Sequence, residues 1–125
     1  MPALRLQHTS VQVPLSDLAR CERFYREVFG LRQVKNLAGI AWFELPNGDH
    51  IHLLEGQGAA TSGAHFALQV DDFEDTLARV VEHGGEVHVS DDLWGSPRRF
   101  IRDPAGNLLE VFSSPPPLGM PGVTS

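Results

Sequence analysis

The sequence has few of the features that mark several large classes of protein. It contains one cysteine in 125 residues, so no internal disulfide can form and nothing indicates an oxidising compartment. It has no apolar run long enough to span a bilayer, and its first residues lack the apolar core of a secretory signal. It has no excess of positive charge either. Its formal net charge of −6 disfavours nucleic acid and anionic membranes as partners. We therefore expect a soluble cytoplasmic protein.

Three common motifs are also absent from the sequence. It has no Gly-x-Ser-x-Gly nucleophile elbow, no glycine-rich phosphate loop and no pair of cysteines for structural zinc. The composition is nevertheless that of a folded protein, with 42% hydrophobic and 21% charged residues. A chain of this length can bury a substantial core, so we predict a single domain over residues 1–125.

The stretch at residues 103–112, DPAGNLLEVF, combines a tight turn with an apolar strand. The proline fixes φ, and the glycine accepts the positive φ that ends such turns. Side chains alternate along a strand, so Glu110 shares a face with Leu108 and Phe112. A carboxylate on an apolar face is costly unless it is paired or bound to a metal, although a glutamate in a strand is usually exposed to water.

Much of this pattern occurs twice. The stretch PNGDHIHLL at residues 46–54 lies 58 positions earlier (104 − 46), and it places His52 at the position of Glu110. The stretch HTSVQV at residues 8–13 is similar to HFALQV at residues 65–70, at an offset of 57 (65 − 8). A helical segment with Leu-Ala-Arg follows each of these, at an offset of 59 (77 − 18). Three matches in one order indicate an internal duplication, and a single tandem pair fits a folded-back domain better than a solenoid.

Apolar periodicity predicts a β-α-β-β-β order of elements in both halves of the chain. We define module one as residues 4–56 and module two as residues 64–113, with a linker of small residues at 56–63. Residues 114–125 contain four prolines and are predicted to form a mobile tail. The predicted strands lie at residues 4–13, 31–35, 40–45 and 50–55 in module one and at residues 65–70, 86–90, 98–102 and 107–113 in module two.

Each predicted helix has an apolar stripe that we expect to pack against its sheet. The first helix is predicted to begin at Ser16 or Asp17 and to end at Gly30, and the second to begin at Asp71 or Asp72. The expected buried stripes are Leu18, Cys21, Phe24, Tyr25 and Val28 in the first helix and Phe73, Leu77, Val80 and Val81 in the second.

Metal-binding residue types occupy equivalent positions in the two modules, His8 with His65 and His52 with Glu110. If a pseudo-twofold axis relates the modules, these four side chains can converge. Three imidazoles and one carboxylate suit a divalent transition metal. A lone histidine in a strand is more often an ordinary exposed or hydrogen-bonded residue, but four such residues in a duplication are harder to attribute to chance. His50 lies on the same strand face as His52 and is the alternative ligand.

The duplicated pattern resembles the vicinal oxygen chelate superfamily, which includes glyoxalase I, bleomycin resistance proteins, fosfomycin-resistance thiol transferases and extradiol dioxygenases. The resemblance covers residues 4–113 and is most specific in HFALQVD at residues 65–71 and in DPAGNLLE at residues 103–110. It implies an α+β fold in which two tandem βαβββ modules form a cup-shaped mixed sheet. It also implies a homodimer, because short chains of the family often pair and so cover their sheet edges.

The resemblance further implies that a metal lies at the base of the cup. The ligand positions of the family fall on His8, His52, His65 and Glu110, and the expected ion is Zn²⁺, Ni²⁺, Fe²⁺, Mn²⁺ or Co²⁺. Glu110 matches the metal-bound base of glyoxalase I and is the predicted catalytic residue. His52 departs from the glyoxalase-like members, in which a carboxylate or carboxamide is usual at that position.

A small polar or anionic molecule is the predicted substrate. The only dense basic patch of the chain is Arg98, Arg99 and Arg102. It surrounds Phe100, which matches Trp42 at an offset of 58 (100 − 42). An anion clamp with an aromatic wall is one interpretation of this patch, and an ordinary solvated strand face is the other. The predicted substrate-binding residues are Ser10, Trp42, His50, Arg98 and Phe100.

The sequence thus predicts a divalent-metal-dependent enzyme of the glyoxalase type, a lyase or isomerase that stabilises an enediolate-like oxyanion on the metal. One alternative is an extradiol-dioxygenase-like enzyme or a fosfomycin-type thiol transferase that uses only His8, His65 and Glu110. The other is a metal-free protein that binds an antibiotic in the same cup, although such a protein would not need four metal-binding residue types.

Overall fold

The computed structural model describes residues 4–37, 40–57, 63–89 and 97–113. The predicted tail and most of the predicted linker lie outside these residues. The strands and helices are, in module one, β1 (His8–Val13), α1 (Leu18–Phe29), β2 (Arg32–Leu37), β3 (Ile40–Glu44) and β4 (His50–Glu55), and in module two, β5 (Phe66–Gln69), α2 (Phe73–Glu82), β6 (Glu86–His88), β7 (Arg98–Arg102) and β8 (Leu108–Phe112).

Each module folds into one four-stranded mixed sheet. The strand orders are β1-β4-β3-β2 and β5-β8-β7-β6, so the two sheets have the same topology. In each sheet the first and last strands of the module are parallel and the other neighbours are antiparallel. The predicted α+β fold of two tandem βαβββ modules is confirmed. No helix in the described part of the chain is long and apolar enough to cross a membrane.

The two predicted turns have matching geometry. Gly48 and Gly106 have φ angles of 90° and 87°, as the positive-φ prediction requires. The amide of Gly48 donates to Leu45 O at 2.9 Å, and the amide of Gly106 donates to Asp103 O at 2.8 Å. The duplication is therefore reproduced at the level of single hydrogen bonds.

The core lies between the helices and one face of each sheet. Four of the five predicted stripe residues of α1, Cys21, Phe24, Tyr25 and Val28, are completely buried, and the fifth, Leu18, is partly buried against the core. Helix α1 ends at Gly30, whose φ of 66° is the left-handed conformation of a C-terminal glycine. Burial raises the pKa of the Cys21 thiol to about 12, so it behaves as a packed apolar side chain.

One member of the α2 stripe was predicted wrongly. Phe73 and Val80 are buried, but Val81 is 62% exposed. Thr76 is completely buried and faces the core between Phe73 and Val80. Its hydroxyl donates to Asp72 Oδ1 at 3.0 Å, so this polar group is satisfied within the core. A polar residue that bonds within its own helix can thus occupy a core position that apolar periodicity assigns to a neighbour.

Strand β1 is shorter than predicted at its N-terminal end. Its parallel neighbour β4 begins at His50, which pairs with His8 and donates its amide to Gln7 O at 2.9 Å, so residues 4–6 have no strand to continue the ladder. Leu4 and Leu6 are accordingly 98% and 78% exposed. Alternation alone does not reveal where a neighbouring strand begins.

Candidate metal and substrate site

In module one, three predicted site residues form an aromatic stack on the sheet face away from the core. The rings of His8 and His52 are stacked with centroids 4.5 Å apart, and those of Trp42 and His52 are stacked at 4.6 Å. His50 lies beside them, with its Nδ1 3.3 Å from His52 Nε2. The other ring nitrogen of His50 is 3.6 Å from a carboxylate oxygen of Glu44. The predicted ligand His52 is thus surrounded by aromatic rings.

The environment of His52 favours its neutral form. Partial burial lowers the pKa of His52 below its usual value of 6.5, and repulsion by His8 and His50 lowers it further. A neutral imidazole is the form that binds a metal ion. The stack therefore keeps His52 in the state that a ligand requires.

In module two, Glu110 is held by two partners. Arg98 Nη1 donates to Glu110 Oε2 at 3.0 Å, and His65 Nε2 lies 3.6 Å from Glu110 Oε1. Phe100 contacts both partners, with its ring edge-on to His65 at 4.9 Å and below the Arg98 guanidinium at 5.2 Å. Phe100 pairs with Glu110 across the strands as Trp42 pairs with His52, so each module places one aromatic residue beside its last-strand ligand.

The four predicted ligands come together as two pairs, one in each module. Across residues 4–37, 40–57, 63–89 and 97–113, no group of three or more His, Cys, Asp and Glu side chains could hold a metal ion. The near-parallel rings of His8 and His52, tilted by 19°, do not direct their nitrogens at one point. A single site with all four ligands therefore stays a prediction.

The donors of module two fit a divalent ion better than those of module one. Two donors at about 2.1 Å from a tetrahedral ion are about 3.4 Å apart, and His65 Nε2 and Glu110 Oε1 are separated by 3.6 Å. In module one, the stacked rings of His8 and His52 would have to rotate before both could bind one ion. The donor types suit a transition metal in both modules, since imidazole and carboxylate are ordinary ligands of such ions.

Two cavities lie near the predicted site residues. The larger has a volume of about 520 Å³ and lies between the modules, where Ser10 and His65 line it together with Gln12 and Asn107. The smaller, of about 110 Å³, is lined by His8 and other residues of both modules. Predicted site residues thus border space that a small molecule could enter.

The three arginines of the basic patch have different surroundings. Arg98 contacts the predicted ligand Glu110, whereas Arg102 donates to Gly106 O at 2.7 Å and Arg99 lies over the ring of Phe73. The ion pair of Arg98 with Glu110 was not predicted. The turn at residues 103–106 is the sequence signal that could have revealed this ion pair, because a hairpin brings positions 98 and 110 onto adjacent strands.

Two mixed sheets of identical topology, with metal-type side chains at equivalent positions, define a protein of the glyoxalase type of fold. Residues 5–111 match the model of the Glyoxalase/Bleomycin resistance protein/Dioxygenase superfamily. The chain belongs to this superfamily, which confirms the resemblance found in the sequence.

The similar proteins have several different descriptions. A glyoxylase-like domain-containing protein of Didymella fabae is 25% identical over 122 residues, which cover 87% of this chain and 94% of that protein. The crystal structure of lactoylglutathione lyase from Agrobacterium tumefaciens is 27% identical with a TM-score of 0.71, covering 91% of this chain and 96% of that one. The fosfomycin resistance protein FosX of Mesorhizobium loti is 22% identical with a TM-score of 0.72, covering 92% and 94%. FosX supports the fold alone.

Proposed function

We propose that this chain is a divalent-metal-dependent enzyme of the glyoxalase type, a lyase or isomerase that acts on a small polar or anionic molecule. The observation that carries the proposal is the pair of His65 and Glu110, whose donor atoms are 3.6 Å apart. The equivalent positions of module one hold a second pair of potential ligands, His8 and His52. The similarity to a lactoylglutathione lyase supports the lyase class.

The residues of the proposed site have distinct roles. His65 and Glu110 of module two and His8 and His52 of module one hold the ion, and when bound the ion supplies a Lewis acid that stabilises an oxyanion. Glu110 is the base that moves a proton between neighbouring carbons of the substrate. Arg98 fixes the orientation of that carboxylate through its hydrogen bond to Oε2.

We call the pair of His8 and His52 and the pair of His65 and Glu110 the two half-sites. The substrate would be bound by other residues near them. Trp42 and Phe100 supply one aromatic surface in each module. Ser10 lines the cavity of about 520 Å³, in which its hydroxyl can bond to a substrate oxygen. His50 is next to His52 and can contact either the substrate or the ion.

The test is metal analysis of protein purified without an affinity tag, followed by titration with Zn²⁺, Ni²⁺, Fe²⁺, Mn²⁺ and Co²⁺. We expect a stoichiometric metal in the wild type, weaker binding in Glu110→Gln, and no turnover of Glu110→Gln even at saturating metal. Lactoylglutathione formation is the first activity to assay. His88→Ala is the control, because this histidine is exposed on β6 and close to Glu86. Unchanged metal content in a double alanine variant of His8 and His65 would exclude the proposal.

A metal-free binding protein is the second candidate. It is favoured by the ion pair of Arg98 with Glu110, which satisfies the carboxylate without a metal, and by the stack of Trp42 and His52, which presents flat rings to a ligand. In that case the protein binds no metal at micromolar concentrations but binds a bleomycin-type antibiotic, and Trp42 fluorescence reports the binding.

A further inference from the structure

A buried polar network connects the two modules through Tyr25, Asp103, Asn107 and the backbone carbonyl of Gln12. Tyr25 Oη of helix α1 donates to Asp103 Oδ2 at 2.7 Å. Asn107 Nδ2 donates to the same Oδ2 at 3.0 Å and to Gln12 O on β1 at 2.9 Å. Two bonds of this network thus join residues that are 78 and 95 positions apart in the sequence.

The side chains of the network are buried, and the Asp103 carboxylate is fully hydrogen-bonded. Tyr25, Asp103 and Asn107 are 0%, 3% and 8% exposed. The other carboxylate oxygen of Asp103 accepts the backbone amides of Ala105 and Asn107, each at 2.9 Å. A buried network in which the Tyr25 hydroxyl, both amide hydrogens of Asn107 and both carboxylate oxygens of Asp103 are engaged favours one arrangement of the elements that it joins.

The duplication supplies an internal comparison. The position of Asp103 in module two is occupied by Leu45 in module one, and that of Asn107 by Asp49. The turn in module one has the same backbone hydrogen bonds, and its side-chain contacts stay within that module, where Asn47 bonds to Asp49 and Asp49 pairs with Arg5 at 3.3 Å. The network is therefore not required to form the turn, and its additional bonds serve the contact between modules.

The network joins the two strands that carry predicted ligands of different modules. Asn107 precedes β8 and is three positions before Glu110, while Gln12 is four positions after His8 on β1. At about 3.3 Å per residue, each ligand lies about 10–13 Å along its strand from the bond between Asn107 and Gln12. The relative placement of these strands sets the distance between the two half-sites.

We infer that Asn107 is a positioning residue that fixes β1 of module one against β8 of module two and thereby sets the spacing of the two half-sites. The connection to metal binding rests on the proposed function, whereas the connection to module placement does not. Asn107 suits this role because its amide donates both of its hydrogens, one to Asp103 within its module and one to Gln12 across the interface.

The first test measures the distance between the modules by pulsed electron paramagnetic resonance. Spin labels are attached at Glu55→Cys and Glu86→Cys, which are exposed on β4 and β6, while the native Cys21 is completely buried. The labelled chain is diluted with unlabelled chain so that only distances within one chain contribute. We expect a narrow distribution in the wild type and a broader or shifted one in Asn107→Leu, which keeps the volume and loses both donors. An unchanged distribution would overturn the inference, even if the variant melts at a lower temperature.

The second test measures the affinity for Zn²⁺ by competition with a chromophoric chelator, well below the melting temperature. We expect a loss of about tenfold or more in Asn107→Leu and no loss in Asn47→Ala, the control in the exposed turn of module one. If the wild type binds none of Zn²⁺, Ni²⁺, Fe²⁺, Mn²⁺ and Co²⁺, the proposed function fails and the distance measurement alone decides the role of Asn107; if it binds another of these ions instead of Zn²⁺, the competition is run with that ion. If Asn107→Leu does not fold, Asn107→Ser is measured against the same criteria, because its short hydroxyl cannot bond both partners.

Discussion

Each oxygen of the Glu110 carboxylate has a different partner, and this division determines what the residue can do. Oε2 accepts a hydrogen bond from Arg98, while Oε1 lies beside His65 Nε2. A metal ion held by His65 would therefore approach Oε1 and leave the bond to Arg98 in place. The guanidinium nevertheless weakens the attraction of the carboxylate for a metal ion at Oε1, because its positive charge already pairs with the same carboxylate through Oε2.

Replacement of Arg98 by methionine should therefore strengthen metal binding. We expect Arg98→Met to bind Zn²⁺ about tenfold more tightly, equivalent to about 1.4 kcal/mol, because Glu110 no longer shares its charge with a cation. Chelator competition measures the affinity. Arg102→Met is the matched control, since that arginine lies on the same strand and donates to a backbone carbonyl. Weaker binding in Arg98→Met would contradict this prediction and would mean that the loss of the orientation of Glu110 outweighs the gain in its free charge.

Among the helices and strands, those with strong local signals were predicted well. Strands β4 and β7 have the predicted bounds, because a turn precedes β4 and β7 is a compact run of β-forming residues. Helix N-caps were only partly predictable. Asp17 and Asp72 occupy the caps, but neither side chain bonds the helix amides, since Asp17 pairs with Arg20 and Asp72 with Arg79. The partners of a polar side chain depend on contacts that periodicity does not contain.

The packing of α1 against the loop after α2 gives a prediction for Gly85. A Cβ atom at this position would lie 2.6 Å from Arg102 O, 2.7 Å from the ring of Phe24 and 2.9 Å from Val80. We expect Gly85→Ala to lower the free energy of unfolding by about 1–3 kcal/mol, as overpacking of a core does. Urea denaturation measures the change. Gly63→Ala is the control, because nothing lies within 4 Å of its added Cβ, and equal stability of the two variants would contradict the packing argument.

At the scale of the whole molecule, the sequence offsets between the two copies correctly indicated which strands and helices are equivalent. They do not predict the distance between the two modules in the folded chain. That distance depends on contacts such as the bond of Arg79 to Val28 O and the bond of Tyr25 to Asp103. These pairs are 51 and 78 positions apart, and no local pattern relates them. The fold was therefore predictable from the repeat, whereas the grouping of the four ligands into two pairs was not.

The predicted ligands form one pair in each module, His8 with His52 and His65 with Glu110, and this grouping leads to a prediction of the oligomeric state. We propose a homodimer in which the sheet edges are covered and in which a half-site of one chain can meet the complementary half-site of its partner. Analytical ultracentrifugation should show a dimer at micromolar concentrations, and mixing His8→Ala with Glu110→Gln chains should restore metal binding to some sites. A monomer at all micromolar concentrations would contradict this proposal.

The position of Asp103 between the modules predicts how stability changes with pH. Burial raises the pKa of Asp103 above its usual value of 3.8, and the hydrogen bonds from Tyr25 and Asn107 oppose this effect only in part. The folded state therefore binds this proton more tightly than the unfolded state. The contribution of Asp103 to the free energy of unfolding is greatest below about pH 3.8, falls as the pH rises through the folded-state pKa, and is constant above it.

Asp103→Asn removes this titration, so the stability of the wild type relative to the variant should decrease from pH 4 upwards and then level off. The variant should also be less stable at neutral pH by about 1–3 kcal/mol. The carboxylate of Asp103 accepts hydrogen bonds from Tyr25 and Asn107, whereas the NH₂ group of an asparagine would face the same donors and could not accept from them. Urea denaturation of both proteins between pH 4 and pH 8 measures both effects. A difference between wild type and Asp103→Asn that does not vary with pH would mean that Asp103 titrates alike in the folded and unfolded chains.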